Sequence, residues 1–220
     1  MDALDNTNSH WDHLWTNRLT SCYLCFPASR TIENFIRKQL YFKAIDRLLH
    51  SFPLTNKDVI ELGSGTGNNS FYLAKSHNLK SVTLLDFSEK AMERAITDFY
   101  PCPVEKIQQD ILDCSPAREY DFVHSTGLIE HFSGADRFLA VKKHAQFAKL
   151  GGLIMIWVPI SSLAFKPIKK FNQCVGIKEE PFTKEELQYL CLGSDLKIVR
   201  EGETVFGALY GILAQKVAIR

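Results

Sequence analysis

The 220 residues carry 26 Lys and Arg against 25 Asp and Glu, a formal charge of +1, and 45% of them are apolar. Those figures fit one globular domain with a full-sized core. They do not fit duplex nucleic-acid binding through bulk charge, because counterion release needs a cluster of cations that this composition lacks, although a local basic patch stays open. No apolar run approaches the roughly 18 residues that cross a bilayer, and Met1-Asp2-Ala3-Leu4-Asp5 puts acids where a secretory signal carries cations, so the expected compartment is the cytosol.

The first fifty residues predict helices. One runs from about His10 to Thr20 with Trp11, Leu14, Trp15 and Leu19 on an apolar stripe. A longer one follows, in which Ile32, Phe35, Ile36, Leu40, Ile45, Leu48 and Leu49 recur at three- and four-residue spacing, a stripe suited to packing on a sheet. The six cysteines, at 22, 25, 102, 114, 174 and 191, are too sparse for a disulfide scaffold and are expected to be small buried hydrophobes. His10, His13, Cys22 and Cys25 amount to four zinc-type ligands close in sequence, but the apolar helical stripe between them argues against a metal, and none is expected.

From residue 58 the period changes. Short β-rich runs (59–62, 82–85, 104–109, 121–124, 153–158) alternate with helical patterns, from about Asn69, from Ser88 to Phe99 and from Ala135 to Leu150. Such alternation predicts a parallel sheet with helices on both faces, since each right-handed crossover must cover the sheet. Residues 160–178 read as irregular and carry Phe165, Lys166, Lys169 and Lys170. Thr183-Lys184-Glu185-Glu186 is a capping box opening a helix, and the runs 196–200 and 205–219 should pair as an antiparallel hairpin at one sheet edge.

The richest stretch is Val59-Ile60-Glu61-Leu62-Gly63-Ser64-Gly65-Thr66-Gly67-Asn68, a buried strand entering three alternating glycines and then a helix. Glycines there let the backbone turn sharply and a ligand approach, while the helix offers free N–H groups. Asp86 ends the next strand about 20 residues later, where a carboxylate accepts both hydroxyls of a ribose. A nucleoside-containing ligand follows. A dinucleotide fingerprint would need Gly or Ala where Asn68 stands, and a Walker loop would need Lys-Ser/Thr after Gly67, so neither NAD nor nucleoside triphosphate hydrolysis is favoured.

With these motifs in place, roughly residues 35–219 resemble the class I S-adenosylmethionine-dependent methyltransferases. Glu61-Leu-Gly-Ser-Gly-Thr-Gly67 is similar to that family's first motif and Asp86 to its ribose-binding acid. Gln109-Asp110-Ile111 is similar to the strand end flanking the adenine. Tyr120-Asp121-Phe122-Val123 with Gly127-Leu128-Ile129-Glu130-His131-Phe132 resembles the fourth-strand motif, and Leu150-Gly151-Gly152 the loop before the fifth strand, where a proline more often precedes the glycines. The resemblance implies an α/β Rossmann-like, seven-stranded, mostly parallel sheet with an antiparallel C-terminal edge hairpin, helices on both faces and extra N-terminal helices. It implies one domain: 1–50 a helical cap, 58–159 the cofactor-binding core, 160–182 a substrate lid and 183–220 the last helix and hairpin. It also implies S-adenosylmethionine as cofactor, with S-adenosylhomocysteine as product. The methionine end would lie near Glu61, Gly63, Ser64, Gly65 and Gly67, the ribose on Asp86, the adenine between Phe87 and Asp110-Ile111, and the sulfonium against Ser125, Thr126 and Gly127. Phe87 has a rival role as a core aromatic, and Asp110 as a cap of the following turn.

A sulfonium methyl is already electrophilic, so the protein must chiefly hold the acceptor in line in a dry pocket. A hydroxyl or ammonium acceptor must also lose a proton, and His131 is the candidate base, its alternative being to pack or hydrogen-bond around the cofactor. His124 reads as a strand residue facing a helix. Acceptor contacts are expected from Trp11, Trp15, Tyr23, Phe165 and Lys166, on segments that could close as lids, although the lysines equally suit a solvated face. A small-molecule acceptor, at an O or N atom, comes first; a protein or peptide is second and RNA third, with no DNA partner and no membrane span. Monomer and homodimer both stay open. The rivals are a catalytically silent binding protein that keeps the cofactor pocket, and an NAD oxidoreductase.

Overall fold

The computed structural model describes residues 7, 9–16, 37–174 and 176–218. Seven strands form one sheet in the order β3-β2-β1-β4-β5-β7-β6. They are β1 (Asp58–Leu62), β2 (Ser81–Asp86), β3 (Val104–Gln108), β4 (Tyr120–Thr126), β5 (Ala148–Pro159), β6 (Leu196–Thr204) and β7 (Leu209–Lys216). Strands β1 to β5 pair in parallel, and β7 runs antiparallel to both β5 and β6. The expected doubly wound sheet with its C-terminal hairpin is what the chain adopts.

Seven α-helices occur among the described residues: α1 (residues 9–16), α2 (Phe42–Leu49), α3 (Asn68–Ser76), α4 (Glu89–Arg94), α5 (Gly134–Phe147), α6 (Phe165–Cys174) and α7 (Lys184–Leu192). A π-helical turn, Arg37–Tyr41, leads into α2. Side chains alternate across a strand, so Ile60, Leu62 and Val123 enter a core with Val141 and Ala145 of α5 and Leu187 and Cys191 of α7. Their neighbours Val59 and Phe122 enter a second core with Ile45 and Leu48 of α2 and Leu73 of α3. With both faces covered, all five residues of β1 are buried, which is why its sequence is a near-continuous apolar run.

The departures from expectation have identifiable causes. Helix α4 stops at Arg94 instead of Phe99 because Ala95 leaves the helical region (ψ 99°). Strand β5 begins at Ala148, so Gly151-Gly152 lie inside it and do not form a loop before it. Tyr120 pairs with Ala148 and Phe122 with Leu153, and the glycine pair absorbs the extra residues in a bulge where Gly151 has φ +77°. Residues 165–174 are helical where irregular chain was expected; Phe165 anchors that helix by packing on Val205 and Ala208. The capping box is half formed: Thr183 Oγ1 accepts from the Glu186 N–H (3.1 Å), but the Glu186 carboxylate turns away to Arg137 Nη1 at 2.6 Å. Of the cysteines, Cys114 and Cys191 are buried, Cys102 is half-buried and Cys174 is exposed, against the expectation for that residue. Cys22, Tyr23 and Cys25 and the first turns of the second expected helix lie outside the described residues. Among the described residues no helix is long and apolar enough to cross a membrane.

From β1 the chain winds outward in both directions, to β2 and β3 on one side and to β4 and β5 on the other. The loops leaving the carboxyl ends of β1 and β4 therefore part over a crevice, the place where open α/β sheets bind ligands.

Candidate functional site

The turn from β1 into α3 forms one wall of that crevice. Gly63, Gly65 and Gly67 all have positive φ (64°, 54° and 76°), a region side chains rarely enter. A Cβ on Gly63 would lie 2.6 Å from Leu128 Cδ1, and one on Gly65 would lie 2.8 Å from the Trp15 ring. The turn is fixed from outside and beneath. Ser64 N–H donates to the Leu85 carbonyl (3.0 Å), Gly65 N–H to Asp86 Oδ2 (2.7 Å) and the Tyr100 hydroxyl to the Gly67 carbonyl (2.6 Å).

Glu61 lies beneath this turn and is fully buried. Its carboxylate accepts from Ser70 N–H and Asn69 Nδ2, both at 3.1 Å, and so braces the start of α3. Burial pushes its carboxyl up to about 7 against those hydrogen bonds. Asp86 accepts from Gly65 N–H and, on Oδ1, from Ser88 N–H (2.9 Å), and burial raises its carboxyl. Each carboxylate oxygen keeps a second lone pair, so these bonds orient Asp86 and leave it acceptor capacity.

The cleft so formed measures about 1130 Å³. Gly63, Ser64, Gly65, Asp86, Phe87, Asp110, Ile111, Thr126, Gly127, His131, Trp11 and Trp15, all expected at the site from sequence, line it together. Asp110 caps the next turn, its Oδ1 accepting from Leu112 N–H (2.8 Å), and also lines the cleft. Helix α1 lies across the opening. Trp11 packs edge-on against Phe87 (6.4 Å) and His131 (4.7 Å), Arg94 Nη1 donates to the Trp15 carbonyl, and Asp12 Oδ1 accepts from Ser88 Oγ (2.5 Å). His131 Nδ1 donates to the Lys178 carbonyl (2.8 Å), which in the neutral ring leaves the lone pair on Nε2.

A family model described as "Methyltransferase domain" matches residues 59–152, the span from β1 into β5 that builds this cleft. Residues 59–152 are thus similar to a methyltransferase domain, and the chain shares its fold with solved methyltransferases. No curated protein matches it in sequence. Among solved structures, the magnesium protoporphyrin IX methyltransferase of Synechocystis PCC 6803 with bound SAM superposes with a TM-score of 0.71 at 16% identity, over 98% of each chain. A DhpI–SAH complex gives 0.71 at 16% identity over 99% of this chain and 98% of that one. The putative methyltransferase of Haloferax volcanii, solved with the Trm112 activator, gives 0.67 at 14% identity over 89% and 96%.

Some expected site residues lie elsewhere. Glu61 and Gly67 support the glycine turn from below and behind without lining the cleft. Ser125 is buried on the far side, where its hydroxyl meets His144 Nε2 (2.8 Å). Phe165 is buried against Val205 and Ala208, and Lys166 is exposed, so neither reaches the cleft. Tyr23 lies outside the described residues. His124 faces α3, its Nε2 3.0 Å from Ser70 Oγ, as its strand position suggested.

Several lining residues were not singled out from sequence. Tyr41, whose hydroxyl hydrogen-bonds Thr126 Oγ1, comes from the turn before α2, and Asn172, Ile177 and Glu179 come from the end of α6 and the segment after it. Glu130 also lines the cleft, only 3% exposed. An acid set among Leu128, Ile129 and Phe132 was the signal available for it.

Proposed function

We propose that the protein transfers a methyl group from S-adenosylmethionine to an oxygen or nitrogen of a small-molecule acceptor. The observation that carries this is the convergence, at the switch point of the sheet, of the glycine turn at 63–65, Asp86 at the end of β2 and Asp110-Ile111 after β3. That set fits an adenosine with an amino-acid tail. Asp86 retains lone pairs for the ribose hydroxyls, Phe87 and Ile111 offer apolar surface to the base, and Gly63 and Gly65 admit a tail against bare backbone. The lining acids Asp86, Glu93, Asp110, Glu130 and Glu179 stand against one arginine, Arg94, and the cleft has no lysine among its described residues. Such a lining suits a cationic sulfonium and opposes a pyrophosphate.

Bound there, S-adenosylmethionine supplies an electrophilic methyl group. The residues of the chain orient and dry the site. Trp11 and Trp15 cover the glycine turn, Tyr41 and Thr126 close the wall after β4, and His131, which lines the cleft, is the candidate base for a hydroxyl acceptor. The solved magnesium protoporphyrin IX methyltransferase has the same fold and a name that specifies a small molecule, and the N-methyltransferase NodS of Bradyrhizobium japonicum has that fold and a name that specifies transfer to nitrogen, in support of that acceptor class.

Calorimetric titration with S-adenosylhomocysteine, then a screen of metabolite pools for a mass gain of one methyl group, tests the proposal. Saturable binding and one methylated product are expected. Stabilisation by NADH and not by S-adenosylhomocysteine would overturn it, and binding without turnover on any acceptor would leave a silent cofactor-binding protein.

A further inference from the structure

The acceptor end of the cleft holds a carboxyl group without a counterpart. Glu130 is 3% exposed and lines the cleft, its Oε2 is completely buried, and that atom has no hydrogen-bond partner among the described residues. Its Oε1 lies 3.3 Å from where a Cβ on Gly127 would stand, which sets the carboxyl against the carboxyl end of β4. A second acid faces the same space. Glu179, 9% exposed, also lines the cleft, and the Glu180 N–H donates to the Glu130 carbonyl (2.9 Å), pinning this segment across residue 130.

Asn172 Nδ2 donates to Glu179 Oε1 (2.9 Å) and Lys169 acts on that carboxyl from a distance, while Arg137 offsets only part of what burial does to Glu130. Arg137 spends its guanidinium on the Phe132 carbonyl (3.1 Å), the Glu180 carbonyl (2.6 Å) and the Glu186 carboxylate (2.6 Å). Burial, with the charge of Glu179 adding to it, pushes the Glu130 carboxyl up to about 8. A buried, unpartnered carboxyl costs stability, and a cationic ligand is what would satisfy it.

Resting on the methyltransferase reading above, we propose that Glu130 and Glu179 form the acceptor subsite and that the acceptor is an amine, bound as its ammonium between these two carboxyl groups. An ammonium nitrogen has no lone pair to offer. Once bound, it hands one proton to a carboxylate oxygen of Glu130, which for an amine does what His131 would do for a hydroxyl; the nitrogen keeps the N–H bonding pair as its lone pair, and the carboxylate becomes a neutral carboxyl. The group that selects the acceptor thus also readies it. The cofactor's own amino group has the same chemistry, so the two sources must be separated.

Phenethylamine, phenethyl alcohol and phenylacetate, alike in shape and different in charge, are titrated calorimetrically into the protein with and without S-adenosylhomocysteine, for the wild type, Glu130→Gln and Glu179→Gln. Glutamine keeps the shape, and no side-chain partner of Glu130 Oε2 is lost. The amine is expected to bind at least about tenfold more tightly than the alcohol or the acid. Either substitution is expected to remove most of that preference and leave S-adenosylhomocysteine affinity within about twofold. No amine preference in the wild type, or a preference that survives both substitutions, would overturn the proposal. Loss of S-adenosylhomocysteine affinity in Glu130→Gln would also overturn it, by assigning the carboxyl to the cofactor's ammonium. Wild type that fails to bind S-adenosylhomocysteine while still preferring the amine would remove the cofactor reading and leave the cation subsite.

Discussion

Asp86 and Glu61 are both buried acids near the glycine turn, and their partners give them different work. Asp86 spends one lone pair of each oxygen on backbone N–H groups and faces the cleft, whereas both oxygens of Glu61 are committed to α3. Asp86→Ala should therefore weaken S-adenosylhomocysteine binding by about 1.5–3 kcal/mol, as for a lost charged hydrogen-bond partner; unchanged affinity by calorimetry would refute the ribose assignment. Glu61→Gln should act through stability, because an amide nitrogen facing either the Ser70 N–H or Asn69 Nδ2 replaces an acceptor with a donor. A loss of about 1–3 kcal/mol in urea unfolding is expected. His131→Ala should lower turnover about 10²-fold with cofactor affinity little changed if the ring takes the acceptor's proton. Full turnover in that variant would leave His131 a packing and hydrogen-bonding role, as in its contacts with Trp11 and the Lys178 carbonyl.

Secondary elements show where the pattern of the sequence sufficed. Strands β1, β2 and β4 were readable because a strand covered on both faces must be apolar throughout. The hairpin β6–β7 was readable because two extended runs flanked a short turn. The limits of α4 and β5 were not: α4 ends where Ala95 leaves the helical region, and the bulge at Gly151-Gly152 is set by pairing with β4, a contact remote in sequence. Helix α6 was missed because its one buried residue, Phe165, finds its partners, Val205 and Ala208, some forty residues later. At this scale the glycine turn and α1 act as one unit. Gly65→Ala would force a side chain into a positive-φ position and against the Trp15 ring. It should weaken S-adenosylhomocysteine binding at least about tenfold while costing about 1–2 kcal/mol of stability; wild-type affinity would show that the turn is not the ligand's seat.

The molecule as a whole should titrate in two opposed ways. Burial holds Glu61 near 7 and Glu130 near 8, above the ~4.3 of an unfolded glutamate. Between about pH 4.5 and 8 the native state then binds more protons than the unfolded chain, so the stability of the ligand-free protein falls as pH rises. Asp58 and Asp121, at the far end of the sheet, act in the other sense. Burial alone would raise both, but Ser81 and Lys80 hold Asp58 below the usual carboxylate value, and the Asp58 N–H and Lys149 do the same for Asp121. Their contribution is present above about pH 4 and is lost as pH falls through their depressed values. Urea unfolding should show a maximum near pH 5, with Glu130→Gln more stable than wild type by about 1–3 kcal/mol at pH 9. A wild-type curve that is flat from pH 5 to 9 would contradict the burial of these two carboxyls.

The sequence by itself determined the sheet, its winding and the adenosine-type cleft, because strand periodicity, the glycines at 63–67 and the acid at 86 act over short stretches of chain. Only the tertiary structure decided the part of the cleft lined by Tyr41, Glu130 and Glu179. Tyr41, Glu130, Asn172 and Glu179 come from four separate segments, and nothing in their own neighbourhoods marks them as one surface. It decided equally that Glu61, Ser125 and Phe165 belong to the scaffold, since whether a polar or aromatic side chain faces ligand or core depends on which distant element covers it.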